Sequence, residues 1–461
     1  MANQINIRLL ALETLLECEK KDSYIKEALD KTLFQNQFLS KQERSFLSRL
    51  TEGVTEYRIQ LDYIINQYSK TKVHKCKPVI RVILRMGVYQ MLYMDSVAKE
   101  TACDESVKLA RKKGFHPLTG FVNGVLRNIA GNLDQLNLPD ETENPELFFS
   151  IHYSMPEWIV RRLLQWYGLP LTKQILEASL KTEDLTIRVN TSQITAEALW
   201  EKIAQVGIDV TPGYYAEDAL HLKNINYVTR IPGFKQGEFF VQDESSMLLG
   251  MIMKAELEER SQSLEVHEKI TVLDLCSAPG GKATHFAQML GDKGRIFARD
   301  LTDAKVSYIR ENKERLQLSN VIPEVRDALE LDENMIGAAD VVIADLPCSG
   351  LGIMGKKNDI KYHLKEEQLQ QLETLQREIL KNALQYVRPG GILLYSTCTI
   401  NPKENEENGR WLADHEELEA FSIKERIPDA LKSCLIEENM LQLLQGREKC
   451  DGFFIAAFRR K

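Results

Sequence analysis

From about residue 265 onward, four short segments are apolar almost without interruption: ITVLDLC (270–276), GRIFARD (294–300), DVVIADLP (340–347) and GGILLYSTC (390–398). Helix-like stretches separate them. A strand with no polar alternation has no face to offer to water, so both its faces are buried, as in a parallel sheet covered by helices. The pattern predicts a doubly wound α/β domain, in which ligands bind beyond the C-terminal strand ends at the switch in strand order. All four segments reach that edge with residues able to do chemistry: Asp274, Asp300, Asp345 with Cys348 close behind, and Cys398.

The rest of the chain is patterned differently. Residues 1 to about 130 read as helix after helix, with Ile5, Leu9, Leu12, Leu15 and Leu16 at helical spacing in the first and Pro78 suited to the first turn of PVIRVILRMGVYQMLYM. The run NLPDETENPE (137–146), with two prolines and four acids, reads as a linker. Beyond it PEWIVRRLLQWYG reads as a short helix, LTIRVNT as a strand, and TAEALWEKIAQVG as a helix capped by Thr195 and stopped by Gly207. These last pieces make a small α/β module. The expected division is 1–137, 138–245 and 246–461.

A net charge of −8 conceals an uneven distribution. Residues 1–140 hold 21 Lys and Arg against 16 Asp and Glu. No acid lies between Asp62 and Asp95, where Lys70, Lys72, His74, Lys75, Lys77, Arg81 and Arg85 are found, and Arg111, Lys112 and Lys113 form a second cluster. A charge run is as often a solvated face, but an acid-free basic segment is also what neutralising nucleic-acid phosphates requires. The eight cysteines include no CxxC pair and no Cys/His cluster at metal-ligand spacing, which argues against a zinc site and a disulfide framework. With no apolar run long enough to span a bilayer and no cleavage-site pattern near the N-terminus, a cytoplasmic protein with free thiols and no metal is expected.

VLDLCSAPGGKATHFAQML is strand, glycine-rich loop, then helix, an arrangement that brings backbone N–H groups and a helix N-terminus against a ligand. A P-loop would need glycine at Cys276 and Ser or Thr at Ala283, and the dinucleotide fingerprint GxGxxG is absent. The remaining reading is an S-adenosylmethionine loop: Asp274 closes the first strand, and Cys276, Ser277, Ala278, Pro279, Gly280, Gly281 and Lys282 form the turn. Asp300 ends the next strand, 20 residues after Gly280, the distance at which a carboxylate meets a ribose diol in doubly wound folds.

Chemistry gives a reason for thiols at the other strand ends. Carbon 5 of cytosine is a poor nucleophile. A thiolate added at carbon 6 makes carbon 5 enamine-like, so that it attacks a sulfonium methyl; loss of the carbon-5 proton then expels the thiolate. A basic neighbour such as Lys282 would help ionise the thiol. Asp345 is placed to accept from the cytosine amino group, which selects cytosine over uracil. Spacing alone leaves open whether Cys348 or Cys398 attacks.

LCSAPGGK, DLPCSG followed by NDIKY, YSTCTINPKENEE and the closing DGFFIAAFRR together resemble the motifs of the RsmB/NOP family of RNA 5-methylcytosine methyltransferases, in particular its RsmB/Sun (Fmu) branch, over about residues 236–461. The N-terminal helices resemble a NusB-like RNA-binding domain, which extends the resemblance over nearly the whole chain. The resemblance implies a multidomain fold: an all-α NusB-like domain, a small α/β RNA-binding module and a C-terminal doubly wound α/β class I (Rossmann-like) methyltransferase domain. It implies S-adenosylmethionine as cofactor and small-subunit (16S) ribosomal RNA as partner; a monomer is expected. It assigns Cys398 as nucleophile, Cys348 to product release and Asp345 and Lys282 to catalysis, with the cofactor held by residues 276–282, Asp300, Asp327 and Asp345. Where the family carries a basic pair followed by Pro-Asp, this chain has Lys356-Lys357-Asn358-Asp359. Two alternatives stand beside this reading: the same chemistry on transfer RNA, and a non-catalytic RNA-binding protein of antitermination type.

Overall fold

In the computed structural model, which describes residues 6–181, 184–223, 225, 227–263 and 268–461, helical spacing in the N-terminal third becomes a succession of packed helices. They are α1 (Ile7–Lys21), α2 (Ile25–Gln35), α3 (Lys41–Glu56), α4 (Arg58–Tyr68), α5 (Pro78–Tyr93), α6 (Lys99–Lys112), α7 (Thr119–Gly131), α8 (Pro145–His152) and α9 (Glu157–Ser179). Ile5, expected in the first helix, lies outside the described residues. Local signals set the boundaries. Ser40 and Glu43 form a capping box at α3, and Pro78 occupies the first turn of α5, where its missing N–H costs nothing. Gly168, with φ +68°, breaks α9 where the short helix was expected to end, and the helix resumes to Ser179.

Backbone contacts gather residues 1–181 and 354–366 into one unit, and 182–353 with 367–461 into another. The core of the helical unit is built from side chains such as Leu12, Leu47, Leu50, Leu61, Ile83 and Leu126, all fully buried. The 354–366 segment contributes α14 (Ile360–His363) to this unit. Its Tyr362 hydroxyl donates to the Glu56 carbonyl at 2.9 Å, and the Arg58 guanidinium lies 3.8 Å over the Tyr362 ring. Asp359 accepts the Ile25 N–H at 2.5 Å. Burial lowers the neighbouring Lys361 to about 8 and raises Glu56 to about 7. Within the NDIKY motif, then, Asp359, Lys361 and Tyr362 are engaged inside the helical unit.

The basic segment divides in two. Lys70, Lys72, His74, Lys75 and Lys77 are exposed on the connection between α4 and α5. Arg85 instead turns inward: it donates to both Asp62 oxygens at 2.7 Å and to Glu19 at 2.7 Å, and Arg81 also donates to Glu19. Only the first group is available to phosphates.

The second unit opens with an antiparallel sheet of order β2-β3-β1-β4, made of β1 (Leu185–Val189), β2 (Val210–Pro212), β3 (Ala219–Leu222) and β4 (Phe239–Val241). Helix α10 (Ala196–Ala204), capped by Thr195 as expected, covers it through Leu199 and Ile203. Then follow α11 (Glu244–Ser263), β5 (Ile270–Asp274), α12 (Gly281–Leu290), β6 (Gly294–Asp300), α13 (Asp303–Arg315), β7 (Val321–Val325), β8 (Ala339–Asp345), α15 (Glu366–Tyr386) and β9 (Val387–Thr397). The chain closes with α16 (Glu406–Ala413), β10 (Leu418–Ala420), β11 (Leu435–Glu437), β12 (Met440–Leu443) and β13 (Phe453–Arg460).

The main sheet runs β11-β12-β13-β9-β8-β5-β6-β7, with β10 pairing β13. Its centre, β9-β8-β5-β6-β7, is parallel, and β5, β8 and the apolar part of β9 are buried on both faces as the apolar runs demand, while β7 is only partly buried. Val272, Ile343 and Leu394 face one core; Leu273, Val342 and Leu393 face the other. Two features escaped the pattern. Strand β7 contains Pro323, tolerated because β7 is an edge strand. Strand β13 is as apolar as its neighbours yet antiparallel to β9, a distinction that residue composition does not encode.

Arg85→Ala is expected to destabilise the helical unit by about 3 kcal/mol, because it leaves Asp62 without its cation and Glu19 with Arg81 alone. Urea unfolding followed by circular dichroism checks this.

Candidate active site

Strand order reverses between β5 and β8: β6 and β7 lie on one side, β9 on the other. Asp274, Asp345 and the Cys398 loop therefore leave the sheet side by side at its C-terminal edge. A cleft of about 370 Å³ opens there. Of the expected residues, Cys276, Ser277, Ala278, Pro279, Gly281, Lys282, Asp345 and Cys398 line it. Asp274, Gln242 and Phe453 also line it.

The glycine-rich loop is held from behind. Ser277 N–H donates to the Arg299 carbonyl at 2.7 Å and Gly280 N–H to the Ser277 carbonyl at 2.6 Å. Gly280, with φ +101°, turns the chain into α12, a conformation that costs a residue with a Cβ. Asp300 is buried behind the loop, where it accepts the Ala278 N–H at 3.0 Å and the Leu301 N–H at 2.8 Å and pairs with Lys305 at 3.0 Å. Asp327 follows β7 and accepts the Leu329 N–H at 2.9 Å.

Sequence reading missed the loop's most buried support, Arg188 of β1. Its guanidinium is fully buried and donates to the Gly281 carbonyl at 2.9 Å, to Thr284 at 3.2 Å, to Gln288 at 3.1 Å and to Gln242. Burial lowers it to about 9, which still leaves it a cation at neutral pH. An arginine in a strand otherwise reading as core was the available signal.

The two cysteines meet. Cys348 Sγ and Cys398 Sγ lie 3.3 Å apart. Beside them Asp345 accepts from Lys282 at 2.6 Å and from Ser396 at 2.8 Å, and the Lys282 ammonium sits 5.2 Å from the centre of the Phe453 ring. Two glycines permit the approach: a Cβ at Gly352 would fall 2.0 Å from the Gly452 carbonyl oxygen. Gly352 N–H donates to the Cys398 carbonyl at 3.1 Å, and Gly452 N–H to the Gly352 carbonyl at 2.8 Å. Cys276, by contrast, is pushed far up by burial and stays a neutral thiol.

Both carboxylate oxygens of Asp274 and the Ser277 hydroxyl are buried without a hydrogen-bond partner among the described residues. An orphaned carboxylate on the wall of a cleft suits a cationic ligand. S-adenosylmethionine, with an ammonium and a sulfonium, fits that donor set, and the loop 276–282 and Asp274 would hold it. No group of His, Cys, Asp and Glu suited to a metal ion occurs among the described residues, and no helix there is long and apolar enough to cross a membrane.

Comparison with known proteins finds relatives that span nearly the whole chain. The family model of the 16S rRNA methyltransferase RsmB/F matches residues 261–459, that of the NusB family 5–131, and that of the RsmF/B-like ferredoxin-like domain 155–229. The "Probable ribosomal RNA small subunit methyltransferase B" of Bacillus subtilis (strain 168) is 33% identical over 461 residues, spanning 99% of each chain. The chain belongs to the ribosomal RNA small subunit methyltransferase B family. A protein of the same printed name from Synechocystis sp. (strain ATCC 27184 / PCC 6803 / Kazusa) is 30% identical, over 99% of this chain and all of that one. Among solved structures, PH0851 shares the fold over 99% of both chains, with a TM-score of 0.80 at 23% identity. A methyltransferase homologue from Pyrococcus horikoshii aligns with 69% of this chain and 99% of its own, with a TM-score of 0.55 at 26% identity. The family's three-part organisation is that of this chain: NusB-like helices, a small ferredoxin-like sheet and a Rossmann-like methyltransferase sheet.

Burial raises Asp274 to about 7, so below that pH the group is largely protonated. A bound cation favours the ionised form and expels the proton, so affinity rises with pH until the free carboxyl has titrated. The affinity for S-adenosylmethionine is expected to rise about fivefold from pH 6 to pH 7, below the ordinary range of an α-amino group. Asp274→Asn removes the dependence; titration calorimetry at the two pH values measures both.

Proposed function

We propose that the chain transfers a methyl group from S-adenosylmethionine to carbon 5 of a cytosine in small-subunit (16S) ribosomal RNA through a covalent cysteine–cytosine adduct. The observation that carries this reading is the pair of thiols 3.3 Å apart at the edge of the cleft formed by the glycine-rich loop. When bound, S-adenosylmethionine supplies an electrophilic methyl group. The protein's part is to activate and position the base.

Cys398, as thiolate, adds to carbon 6, and the electron pair displaced onto the ring makes carbon 5 nucleophilic. As the thiolate adds, N3 takes a proton from solvent, and Asp345, held by Lys282 and Ser396, accepts from the amino group and from the new N3–H; N3 gives that proton back to solvent when the thiolate leaves. After methylation a base removes the carbon-5 proton, and the electrons of that bond re-form the double bond as the Cys398 thiolate leaves. Cys348, in hydrogen-bonding distance of the departing sulfur, assists that release. The target base must leave its stack to enter the cleft. The exposed lysines between α4 and α5 hold the surrounding RNA.

Methyl-labelled S-adenosylmethionine and unmodified small-subunit RNA, resolved on a denaturing gel, test the chemistry. Wild type is expected to label free RNA, Cys348→Ala to trap a labelled protein–RNA adduct, and Cys398→Ala to give neither. An adduct that survives Cys398→Ala but not Cys348→Ala would reverse the two roles, and absence of label from RNA with wild type would overturn the reaction. Separately, replacing Lys70, Lys72, Lys75 and Lys77 by Ala should lower the slope of log affinity against log salt by about 0.7–0.9 for each phosphate that a lysine no longer neutralises. An unchanged slope would remove this segment from the RNA interface.

A further inference from the structure

Behind the two cysteines lies a fully buried carboxylate that the reaction does not use. Glu404 accepts from the Ser349 N–H at 3.0 Å, the Ser349 hydroxyl at 2.6 Å, Gln376 Nε2 at 2.9 Å and Asn401 Nδ2 at 3.0 Å. All four donors are uncharged. Ser349 follows Cys348 directly, and Asn401 lies three residues after Cys398, so a single carboxylate ties the two cysteine loops together.

The hydroxyl protons in this network have a fixed direction. Ser349 gives its only hydroxyl proton to Glu404, so across the 2.6 Å contact between Ser349 and Thr399 it is Thr399 that donates. The Asn401 N–H then donates to Thr399 at 3.2 Å. Every donor is oriented by the charge at the end of the chain. The carboxylate accepts directly from the residue next to Cys348, whereas its direct contact on the other loop is the side chain of Asn401, three residues past Cys398, and Cys398 lines the cleft that contains Lys282.

We propose that Glu404 is a positioning residue that holds Cys348 against Cys398 and polarises the pair, so that Cys348 keeps its proton and donates it to a Cys398 thiolate. Two thiols in contact share their ionisation, and the first proton lost comes from the sulfur whose anion is better stabilised. An uncompensated buried carboxylate beside Cys348 disfavours an anion there, and the S–H it leaves on Cys348 stabilises the anion on Cys398. The groups facing Cys348 agree. Its thiol is pushed well above the usual value first by the hydrogen bond with Cys398 and by burial, then by the charges of Cys398 and Glu404, against the opposing Gly350 N–H. The neighbouring Tyr395 phenol is pushed well above its ordinary range by burial and adds no charge. This arrangement rests on the reading of Cys398 as nucleophile, and it gives the choice between two adjacent thiols a physical cause.

The test needs neither RNA nor turnover. Full-length protein is alkylated with iodoacetamide from pH 6.5 to pH 9.5, and the rate at each cysteine is read by mass spectrometry. Wild type is expected to react at Cys398 about tenfold faster than at Cys348 at pH 8, with the lower pH midpoint at Cys398. Glu404→Gln removes the charge and should lower the Cys348 midpoint and shrink the rate ratio severalfold, while Glu404→Asp retains the preference. A wild-type protein in which Cys348 reacts first, or with the lower midpoint, overturns the proposal whatever the variants do. So does a folded Glu404→Gln with unchanged midpoints, because a merely structural role would move both rates without bringing the midpoints together. The adduct gel judges the cytosine chemistry independently: failure there with polarised alkylation removes the reaction and keeps the pair, and the opposite result removes the pair and keeps the reaction.

Discussion

The end of β9 and the loop residues Ser349, Thr399 and Asn401 are buried, and buried loops must satisfy their polar groups without water. Everything distinctive about the site follows from how this is done. Glu404, Asn401 and Asn405, all fully buried, supply the partners. Asn405 donates to the Thr399 carbonyl at 2.9 Å and to Gln442 at 2.6 Å, and accepts from Thr397 at 2.5 Å. An unmet buried polar group costs about 1–3 kcal/mol, so a network of this size leaves the loops little freedom to separate. The 3.3 Å contact of the two sulfurs is a product of that rigidity, and the bare backbones of Gly352 and Gly452 let it form.

A second consequence concerns the glycine-rich loop. Helix N-termini need their first carbonyls and turns anchored if they are to present N–H groups in a fixed direction. Here the anchor on the Gly281 carbonyl comes from Arg188, which lies in the small antiparallel sheet. Thr284 and Gln288, one and two turns into α12, accept from the same guanidinium. The sheet preceding the methyltransferase fold is thus part of the cleft's rear wall as well as a candidate surface for RNA, and Gln242 connects it to the lining.

Charge is distributed unevenly around the cleft in a way suited to its chemistry. Asp345 has its cation in Lys282 and Asp300 has its own in Lys305, while Asp274 has no hydrogen-bond partner among the described residues. The thiols differ in the same spirit. Cys276 is kept neutral by burial, Cys348 adjoins the residue that holds a buried carboxylate, and Cys398 lines the cleft that contains the ammonium. In a medium of reduced dielectric, such small differences in placement decide which group ionises.

The sequence alone determined the parallel centre of the sheet, because strands such as DVVIADLP have no polar face and can only be buried on both sides. It also determined the helix boundaries at Pro78 and Thr195, where capping is a local matter between residues a few positions apart. The glycine loop and the strand-end acids were legible for the same reason: motif and geometry coincide within one strand–turn–helix. Tertiary structure alone decided what lies far apart in the chain. Nothing in composition distinguishes Arg85, spent on Asp62 and Glu19, from Lys72, exposed to solvent. Apolar content does not reveal that β13 runs against β9. The role of Arg188, about a hundred residues from the carbonyl it holds, and that of Glu404, which joins two loops some fifty residues apart, arise from burial, and burial is settled only when the whole chain has packed.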